Sequence, residues 1–362
     1  MLYHLAARLT SFWGPFRLFR SHLLLLAVGA GVAALAVLLV LPKVWGRLPK
    51  DHGKAIVGKE GMKSAGKPTG AGLAVTLTAL PVVALFAPLG LWESLAVLSM
   101  YGAVLFGYLD DRAKTPWGQL KKGLLDAVVS LAVATFVYLS QRSGGGVAMW
   151  LPFAKTVFTV PALVYIPSAA FLVWFTMNAT NCSDGVDALA GTLTLLALAM
   201  LAVILYLVVG YRPVAEYLLV PCVQGGAQWA VTVMIFAGAF TGYLWHNAEP
   251  SKVLMGDAGS RFLGTLVATA ALVAGNPFLV FAISPVVLAN GGGGLVKLTL
   301  LRVAKKFGMD VAEDSAIRRL RFPLHDHCRR NLGWSNPQVL LRFVLLQIAS
   351  MSALLMLFLK IR

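Results

Sequence analysis

The sequence has little charge for its length. Of its 362 residues, 13% are Asp, Glu, Lys or Arg, whereas 58% are hydrophobic and the mean hydropathy is +0.77. An ordinary soluble domain is about 25% charged, so this composition excludes a soluble enzyme, a disordered chain and a fibrous protein. The apolar runs are long and continuous instead of alternating, which argues against a transmembrane barrel.

Cysteines and acidic residues are also scarce. Cys182, Cys222 and Cys328 share no metal-ligand spacing, so we expect neither a disulfide framework nor a zinc site. Basic residues outnumber acidic ones by 31 to 15, which gives a net charge of +16. In a membrane protein we attribute this excess to loops that face anionic lipid head groups, and we expect no nucleic-acid partner.

Ten apolar runs are long enough to cross a bilayer. They lie near residues 22–42, 71–91, 93–109, 123–141, 157–177, 188–209, 227–245, 259–275, 277–300 and 338–359. The pattern predicts an all-α polytopic membrane protein with about ten transmembrane helices, which form a single integral membrane domain over 1–362. Asn290 and the glycines at 291–294 interrupt the ninth run, so we expect that helix to bend or break there.

Most Lys and Arg residues outside the spans fall in loops that follow odd-numbered spans. The positive-inside rule therefore places these loops in the cytoplasm. Nearly all the carboxylates lie on the same side, at the ends of many different spans, and could converge on one site. The alternative is that loops are simply where carboxylates stay solvated, since burying one in lipid is costly.

Four polar clusters lie at the predicted cytoplasmic span ends: Tyr108–Lys114, Asn178–Asp187, Trp245–Ser260 and Pro323–Arg330. Adjacent carboxylates repel each other, so Asp110 and Asp111 are most useful beside a divalent cation or a transferable proton. Glycines on either side of Asp257 let the backbone approach a ligand closely. Asp184 and Asp187 would share one helical face if the sixth span began there.

Each cluster also has an ordinary alternative as a helix cap, a turn or a solvated loop. Taken together, hard oxygen ligands without paired soft ligands favour Mg²⁺ over zinc. Mg²⁺ beside lysine is typical of phosphate chemistry. A site at the membrane surface suggests one lipid-borne and one water-soluble reactant, so the residues alone indicate a membrane phosphotransferase.

In their order along the chain these motifs resemble a known family. They are similar to those of the polyprenyl-phosphate N-acetylhexosamine-1-phosphate transferases, membrane enzymes of the glycosyltransferase family 4 type. The matching segments are Lys-Pro-Thr-Gly-Ala-Gly at 67–72, the Asp pair at 110–111, and residues 178–187, 247–260 and 323–334. Ten spans with cytoplasmic motifs is also the topology of that family.

The resemblance implies a reaction in the bacterial inner membrane, the first membrane step of peptidoglycan synthesis. Undecaprenyl phosphate would attack the sugar-linked phosphate of UDP-MurNAc-pentapeptide, so that UMP leaves and lipid I forms. It further implies Mg²⁺ as the cofactor, membrane lipid as the surroundings, an active site that faces the cytoplasm, and a homodimer as one assembly.

The resemblance also assigns roles by match. Asp110, Asp111, Asp257 and Lys122 would be catalytic, and Lys63, Thr69, Asn181, Asp184, Asp187, Asn247, His325 and His327 would bind substrate. Asp257 would be the Mg²⁺ ligand. Asp110 would be the base, or the nucleophile of a two-step version, and Lys122 would contact phosphate.

The chain departs from the family pattern at several positions. Lys67 stands where the family has Thr, Leu254 stands where a Phe would stack on uracil, and Asp326 replaces the middle residue of a His triplet. An acid that is usual in the ninth span is missing near Asn290. Lys63, the match to an upstream lysine, is out of register by one.

Three alternatives remain open at this point. A sister enzyme would transfer GlcNAc-1-phosphate or another HexNAc-1-phosphate. A transporter would fit the broken ninth span and an intramembrane Lys297, although it would place polar residues at the bilayer midplane instead of at one face. An inactive homologue is the third, and the retained Asp110, Asp111, Asp187 and Asp257 argue against it.

Overall fold

The computed structural model describes residues 1–51, 53, 64–113, 115, 117–152, 154, 156–308, 315 and 319–360. Its helices are α1 (Leu2–Phe12), α2 (His22–Val44), α3 (Ala71–Phe86), α4 (Leu91–Arg112), α5 (Gln119–Gln141), α6 (Ala162–Ser183), α7 (Leu189–Val203), α8 (Arg212–Tyr217), α9 (Gly226–Asn247), α10 (Gly256–Val273), α11 (Leu279–Ile283), α12 (Pro285–Val287), α13 (Gly293–Lys306), α14 (Leu324–Asn331) and α15 (Asn336–Lys360). Strands β1 (Val147–Trp150) and β2 (Val157–Val160) pair antiparallel, with Val147 opposite Val160. Short 3₁₀ segments lie at Gly14–Arg20 and Trp45–Arg47.

Eight helical segments of the described chain are long and apolar enough to cross a membrane. They are His22–Arg47, Leu91–Arg112, Gln119–Gln141, Ala162–Ser183, Leu189–Val208, Gly226–Asn247, Pro285–Lys306 and Asn336–Leu359. The predicted all-α polytopic class is therefore confirmed. Helices α3 and α10 coincide with two further predicted spans but are not among the eight, so the count of ten stays a prediction.

The fifth span differs from its prediction. Residues 157–160 form β2 and not helix, and α6 begins only after Pro161. Val157 and Thr159 are β-branched and pair with β1, which favours the extended backbone. The helix continues to Ser183, so that Asn178 and Asn181 lie on its last turns and not in a loop.

The ninth span is broken, as predicted. Helices α11 and α12 are separated by Ser284, and a π-helical segment at Leu288–Gly292 precedes α13. Gly291 in this segment lies against the backbone of α6, where a Cβ atom would overlap the carbonyl oxygen of Ala179. The glycine run thus permits both the irregular turn and the close helix contact.

Helix α10 lies at the centre of the bundle, where it contacts α3, α4, α5, α6, α7 and α9. Its residues from Ala258 to Val273 are buried. Three glycines bring its first turn against α3 and α4, because a Cβ on Gly72 would overlap Gly259 and a Cβ on Gly107 would lie 2.5 Å from the Ala258 nitrogen. Small residues allow helix backbones to approach this closely, and the start of α10 is therefore fixed by its neighbours.

Candidate active site

Three helix ends bring an acidic centre together. Asp110 lies on the last turn of α4, Lys122 on the first turn of α5 and Asp257 on the first turn of α10. The Nζ atom of Lys122 contacts the carboxylate of Asp110 and lies 3.5 Å from Oδ2 of Asp257. The backbone N–H of Trp117 donates a 2.8 Å hydrogen bond to Oδ1 of Asp110. Three of the four predicted catalytic residues are thus in contact.

Asp111, the fourth, fixes the start of α10. Its carboxylate accepts hydrogen bonds from the backbone N–H groups of Asp257 at 3.2 Å and Ala258 at 3.4 Å. A carboxylate at a helix N-terminus is stabilised by the helix dipole and by the free N–H groups. Gly256 makes room for this contact, because it has a φ of +71° and a Cβ there would overlap the Asp111 carboxylate. The geometry therefore gives Asp111 a positioning task.

Two further charges join the centre one helical turn deeper. Arg261 of α10 lies 3.1 Å through Nη2 from Oδ2 of Asp257, and its Nη1 contacts the carboxylate of Asp126 on α5. The side chain of Asn181 also contacts Asp257. Sequence reasoning missed Asp126 and Arg261. Their spacing of four residues from Lys122 and Asp257 was the available signal, since residues at i and i+4 share a helix face.

A second group of predicted residues lies in the turn between α6 and α7. Asp184 and Asp187 precede α7, which begins only at Leu189 after Ala188 with a φ of +61°. The expectation that the two carboxylates share a helical face is therefore wrong. They lie in a turn because Gly185 and the left-handed Ala188 keep the helix from starting earlier.

Asn247 connects this turn to the segment before α10. Its Oδ1 accepts a 2.8 Å hydrogen bond from the backbone N–H of Ala188, and its Nδ2 donates one of 2.8 Å to the carbonyl of Val253. The side chain is buried. Asn247 thus positions two backbone segments of the site.

Lys67 joins the same group from the segment before α3. Its Nζ donates a 2.9 Å hydrogen bond to Oγ of Ser251 and lies 3.7 Å from Oδ2 of Asp187, which also accepts from the backbone N–H of Ser251 at 3.1 Å. Thr69 is buried beside it, and its N–H donates to the carbonyl of Pro49. Lys63 lies outside the described residues.

The two predicted histidines have different surroundings. His325 on α14 is buried, and both its backbone N–H and its ring Nδ1 lie within 3.2 Å of Oδ1 of Asn290. Its ring packs on Gly185, where a Cβ would overlap Nε2, so His325 reaches the turn between α6 and α7. His327 instead lies with Nδ1 3.3 Å from the backbone N–H of Arg321, within its own loop.

Asp326 is balanced by its neighbours. Its Oδ1 lies 3.7 Å from Nη1 of Arg329 and 3.8 Å from Nε2 of His325. Burial raises the pKa of the adjacent Cys328 thiol, which keeps it in the neutral form at neutral pH. The anion that replaces a histidine therefore adds to a local ion pair and does not stand alone.

Comparison with known proteins identifies the family. Residues 94–275 match the model of glycosyl transferase family 4. Two curated relatives, from two strains of Treponema pallidum of which one is Nichols, are each 42% identical over 340 residues, which is 93% of this chain and 90% of theirs. Both are named phospho-N-acetylmuramoyl-pentapeptide-transferase. The chain belongs to glycosyl transferase family 4.

The matched region contains the acidic centre of this family-4 chain. It spans α4 to α10, which hold Asp110, Asp111, Lys122 and Asp257 together with the turn between α6 and α7. His325 and Thr69 lie outside that region but within the contacts described above. The resemblance inferred from the ordered motifs is thereby confirmed.

The donor set of the acidic centre fits Mg²⁺. Within the described part of the chain, no group of three or more His, Cys, Asp or Glu side chains could hold a metal ion by itself. Mg²⁺ in phosphate enzymes is commonly held by one or two carboxylates and completes its shell with water and phosphate oxygens. Asp257, with the carboxylate of Asp110 and the amide of Asn181 beside it, offers such a set of oxygens. The carboxylates also outnumber the two cations of the centre, Lys122 and Arg261.

An apolar groove begins beside this centre. It has a volume of about 640 Å³ between α5, α6 and α13. Its lining is Gln119, Leu120, Gly123, Leu124, Ala127, Ala170, Phe171, Trp174 and Arg302. Gln119 and Gly123 flank Lys122 on the first turn of α5, and Arg302 donates a 3.3 Å hydrogen bond to Oε1 of Gln119. The groove thus combines an apolar wall with a cation at its polar end.

Proposed function

We propose that this chain transfers phospho-MurNAc-pentapeptide from UDP-MurNAc-pentapeptide to undecaprenyl phosphate, with lipid I and UMP as products. The observation that carries the proposal is the contact of Asp110, Lys122 and Asp257 beside an apolar groove, in a chain 42% identical over 93% of its length to two proteins named for that transfer. The reaction would depend on Mg²⁺ and take place at the cytoplasmic face of the bacterial inner membrane.

The acceptor would enter from the lipid side. The groove between α5, α6 and α13 suits a polyprenyl chain, because its wall is apolar and a long hydrocarbon is stabilised by burial away from water. Arg302 and Lys122 at its polar end would bind the acceptor phosphate. This arrangement would place a phosphate oxygen beside Asp110.

The chemical step would exchange one phosphoester bond for another. An oxygen of the acceptor phosphate forms a bond to the sugar-linked phosphorus, and the bond from that phosphorus to UMP breaks. Asp110 would accept the remaining acceptor proton, or in a two-step version would itself form the first bond to phosphorus. Its contacts with Lys122 and the Trp117 N–H fix the carboxylate in place for either route.

Charge stabilisation would come from the other two members. Asp257, with Asp110 and Asn181 nearby, would hold Mg²⁺, which when bound supplies positive charge to the diphosphate and the departing UMP. Lys122 reaches both Asp110 and Asp257 and would share that charge with the phosphates. Such transfers depend on positioning and electrostatic stabilisation more than on covalent chemistry by the protein.

The donor would bind across the turn between α6 and α7. Asp184, Asp187 and His325 border that turn, and Lys67 would add a cation near the diphosphate. His327 would act from its own loop. The excess of basic residues on this side supports a cytoplasmic orientation, where the nucleotide sugar is made.

Donor choice tests the proposal directly. The purified protein in detergent, supplied with Mg²⁺ and undecaprenyl phosphate, is expected to release UMP with UDP-MurNAc-pentapeptide and not with UDP-GlcNAc. Release with UDP-GlcNAc would indicate the sister HexNAc-1-phosphate reaction, to which the Asp326 departure gives some support. No release with either donor, from folded protein, would contradict the proposal and favour a transporter or an inactive homologue.

The resemblance also carries over a homodimer. Light scattering of the purified protein in detergent, with the detergent mass subtracted, is expected to give twice the 38.6 kDa chain mass. A mass of one chain would contradict this part of the proposal without affecting the reaction.

A further inference from the structure

Two charged pairs join α5 to α10 in a repeated pattern. Lys122 and Asp126 lie one turn apart on α5, and Asp257 and Arg261 lie one turn apart on α10. Each cation faces the anion of the other helix, so that Lys122 meets Asp257 and Arg261 meets Asp126. Arg261 also contacts Asp257 along its own helix at 3.1 Å.

The inner pair is deeply buried. Arg261 is 3% exposed and Asp126 is 1% exposed. Removing two charges from water costs several kcal/mol for each ion, and hydrophobic residues of similar size are often as stable or more stable at such positions. Stability alone therefore does not account for an Arg–Asp pair inside a membrane bundle, where intramembrane charges are rare and mark functional sites.

The position of Arg261 relative to Asp257 suggests what the pair does. Arg261 binds the same oxygen, Oδ2, that Lys122 approaches from the other side. A planar guanidinium held at one end by Asp126 has little freedom at its other end. The oxygen of Asp257 that faces the cations is thereby fixed, and its other oxygen is directed toward Asn181 and Asp110.

We propose that Arg261, oriented by Asp126, is a positioning residue that fixes the carboxylate of Asp257 for the divalent cation. The inference rests on the proposed function for its kinetic consequence. It concerns residues of this chain that have no assigned role in the reaction above. Outer partners that orient metal ligands typically contribute about 10- to 100-fold to metal affinity or activity.

A double variant separates positioning from charge and from packing. Asp126→Leu/Arg261→Leu removes one negative and one positive charge, so the net charge of the centre does not change. Replacing both members of a buried pair by apolar residues leaves no unpaired charge in the core. We expect an unfolding temperature close to that of the wild type, with Asp257 left to Lys122 alone.

The measurement combines kinetics with binding of Mn²⁺, followed by electron paramagnetic resonance as a probe for the divalent site. The double variant is expected to have a kcat about 10- to 100-fold lower, a KM for each substrate within about twofold, and Mn²⁺ affinity at least about tenfold weaker. Arg261→Lys in the otherwise unchanged chain retains the cation and should recover part of the loss relative to Arg261→Leu.

Two results would overturn the inference. Wild-type kcat and Mn²⁺ affinity in a folded double variant would mean that the pair only joins two helices. Absence of Mn²⁺ binding by the wild type would mean that Asp257 holds no such cation. If the double variant does not fold, Asp126→Asn keeps the size and one acceptor for Arg261, and an unchanged kcat and Mn²⁺ affinity there would have the same meaning.

Failure of the proposed function gives a different result. In that case the wild type releases no UMP from either donor, yet it still binds Mn²⁺ more tightly than the double variant. The binding measurement therefore tests Arg261 and Asp126 independently of the donor.

Discussion

The acidic centre and the donor side of the site are built in different ways. The acidic centre lies on the ends of α4, α5 and α10 and is held by contacts between charged side chains. The donor side lies in turns and loops, where Asn247 and His325 hold backbone groups in place. The departures from the family pattern at Lys67, Leu254 and Asp326 all fall on the donor side or in its loops.

This difference indicates a division of labour. Helix ends fixed by packing position the reacting groups, because a small displacement there would slow the chemical step. Loops can change residues with less effect on the bundle, and they are where binding specificity is commonly adjusted. Variants of the two regions should therefore separate into effects on kcat and effects on KM.

The largest effect is expected at the acidic centre. Asp257→Asn removes the charge that would hold Mg²⁺ but keeps the size of the side chain, so UMP release should fall by about 10³-fold or more. The unfolding temperature should remain close to that of the wild type. Turnover near the wild-type rate would refute the metal role of Asp257.

The next effect concerns the packing beneath the centre. Gly72→Ala places a Cβ against Gly259 of α10, and the displacement of α3 should cost about 1–3 kcal/mol of stability. Gly31→Ala is the matched control, because the same substitution in α2 meets no atom within 4 Å. Thermal unfolding of the two variants in detergent checks the prediction, and equal unfolding temperatures would contradict the close contact.

A smaller and different effect is expected on the donor side. Asn247→Ala removes the acceptor for Ala188 N–H and the donor for the Val253 carbonyl, at a cost of about 1–3 kcal/mol for each group left unpaired. The loosened turn should raise KM for the nucleotide sugar more than it lowers kcat. A fall in kcat at constant KM would remove the distinction between the two regions.

The smallest effect is expected at Lys67. Lys67→Thr gives the residue usual in the family and removes the contacts with Ser251 and Asp187, which are partly solvent-exposed and so contribute about 1 kcal/mol or less. We expect KM for the donor to rise by less than about tenfold, with kcat unchanged. A loss as large as that of Asp257→Asn would show that Lys67 acts in the chemical step.

Much of this arrangement could be predicted from the sequence, for identifiable reasons. Polar clusters at the ends of apolar runs indicated Asp110, Asp111 and Asp257 because carboxylates avoid lipid. The glycines at 291–294 predicted the break in the ninth span because they permit irregular backbone. The ordered motifs indicated the family.

Other features could not be predicted from hydropathy. The apolar runs stop short of Asp111 and Lys122, although α4 and α5 continue through both residues. Helix α10 is surrounded by other helices and not by lipid, so it can bury Arg261 beside Asp126. Such a pair depends on which helices are neighbours, and a single sequence does not contain that information.

The mass of the lipid product tests the central claim most directly. Undecaprenyl phosphate and UDP-MurNAc-pentapeptide would be incubated with Mg²⁺ and the wild-type protein, with Asp257→Asn in parallel, and the extracted lipid analysed by mass spectrometry. We predict undecaprenyl-diphospho-MurNAc-pentapeptide with the wild type and unchanged undecaprenyl phosphate with the variant. Unchanged acceptor with folded wild-type protein, or the same product from both proteins, would contradict the account.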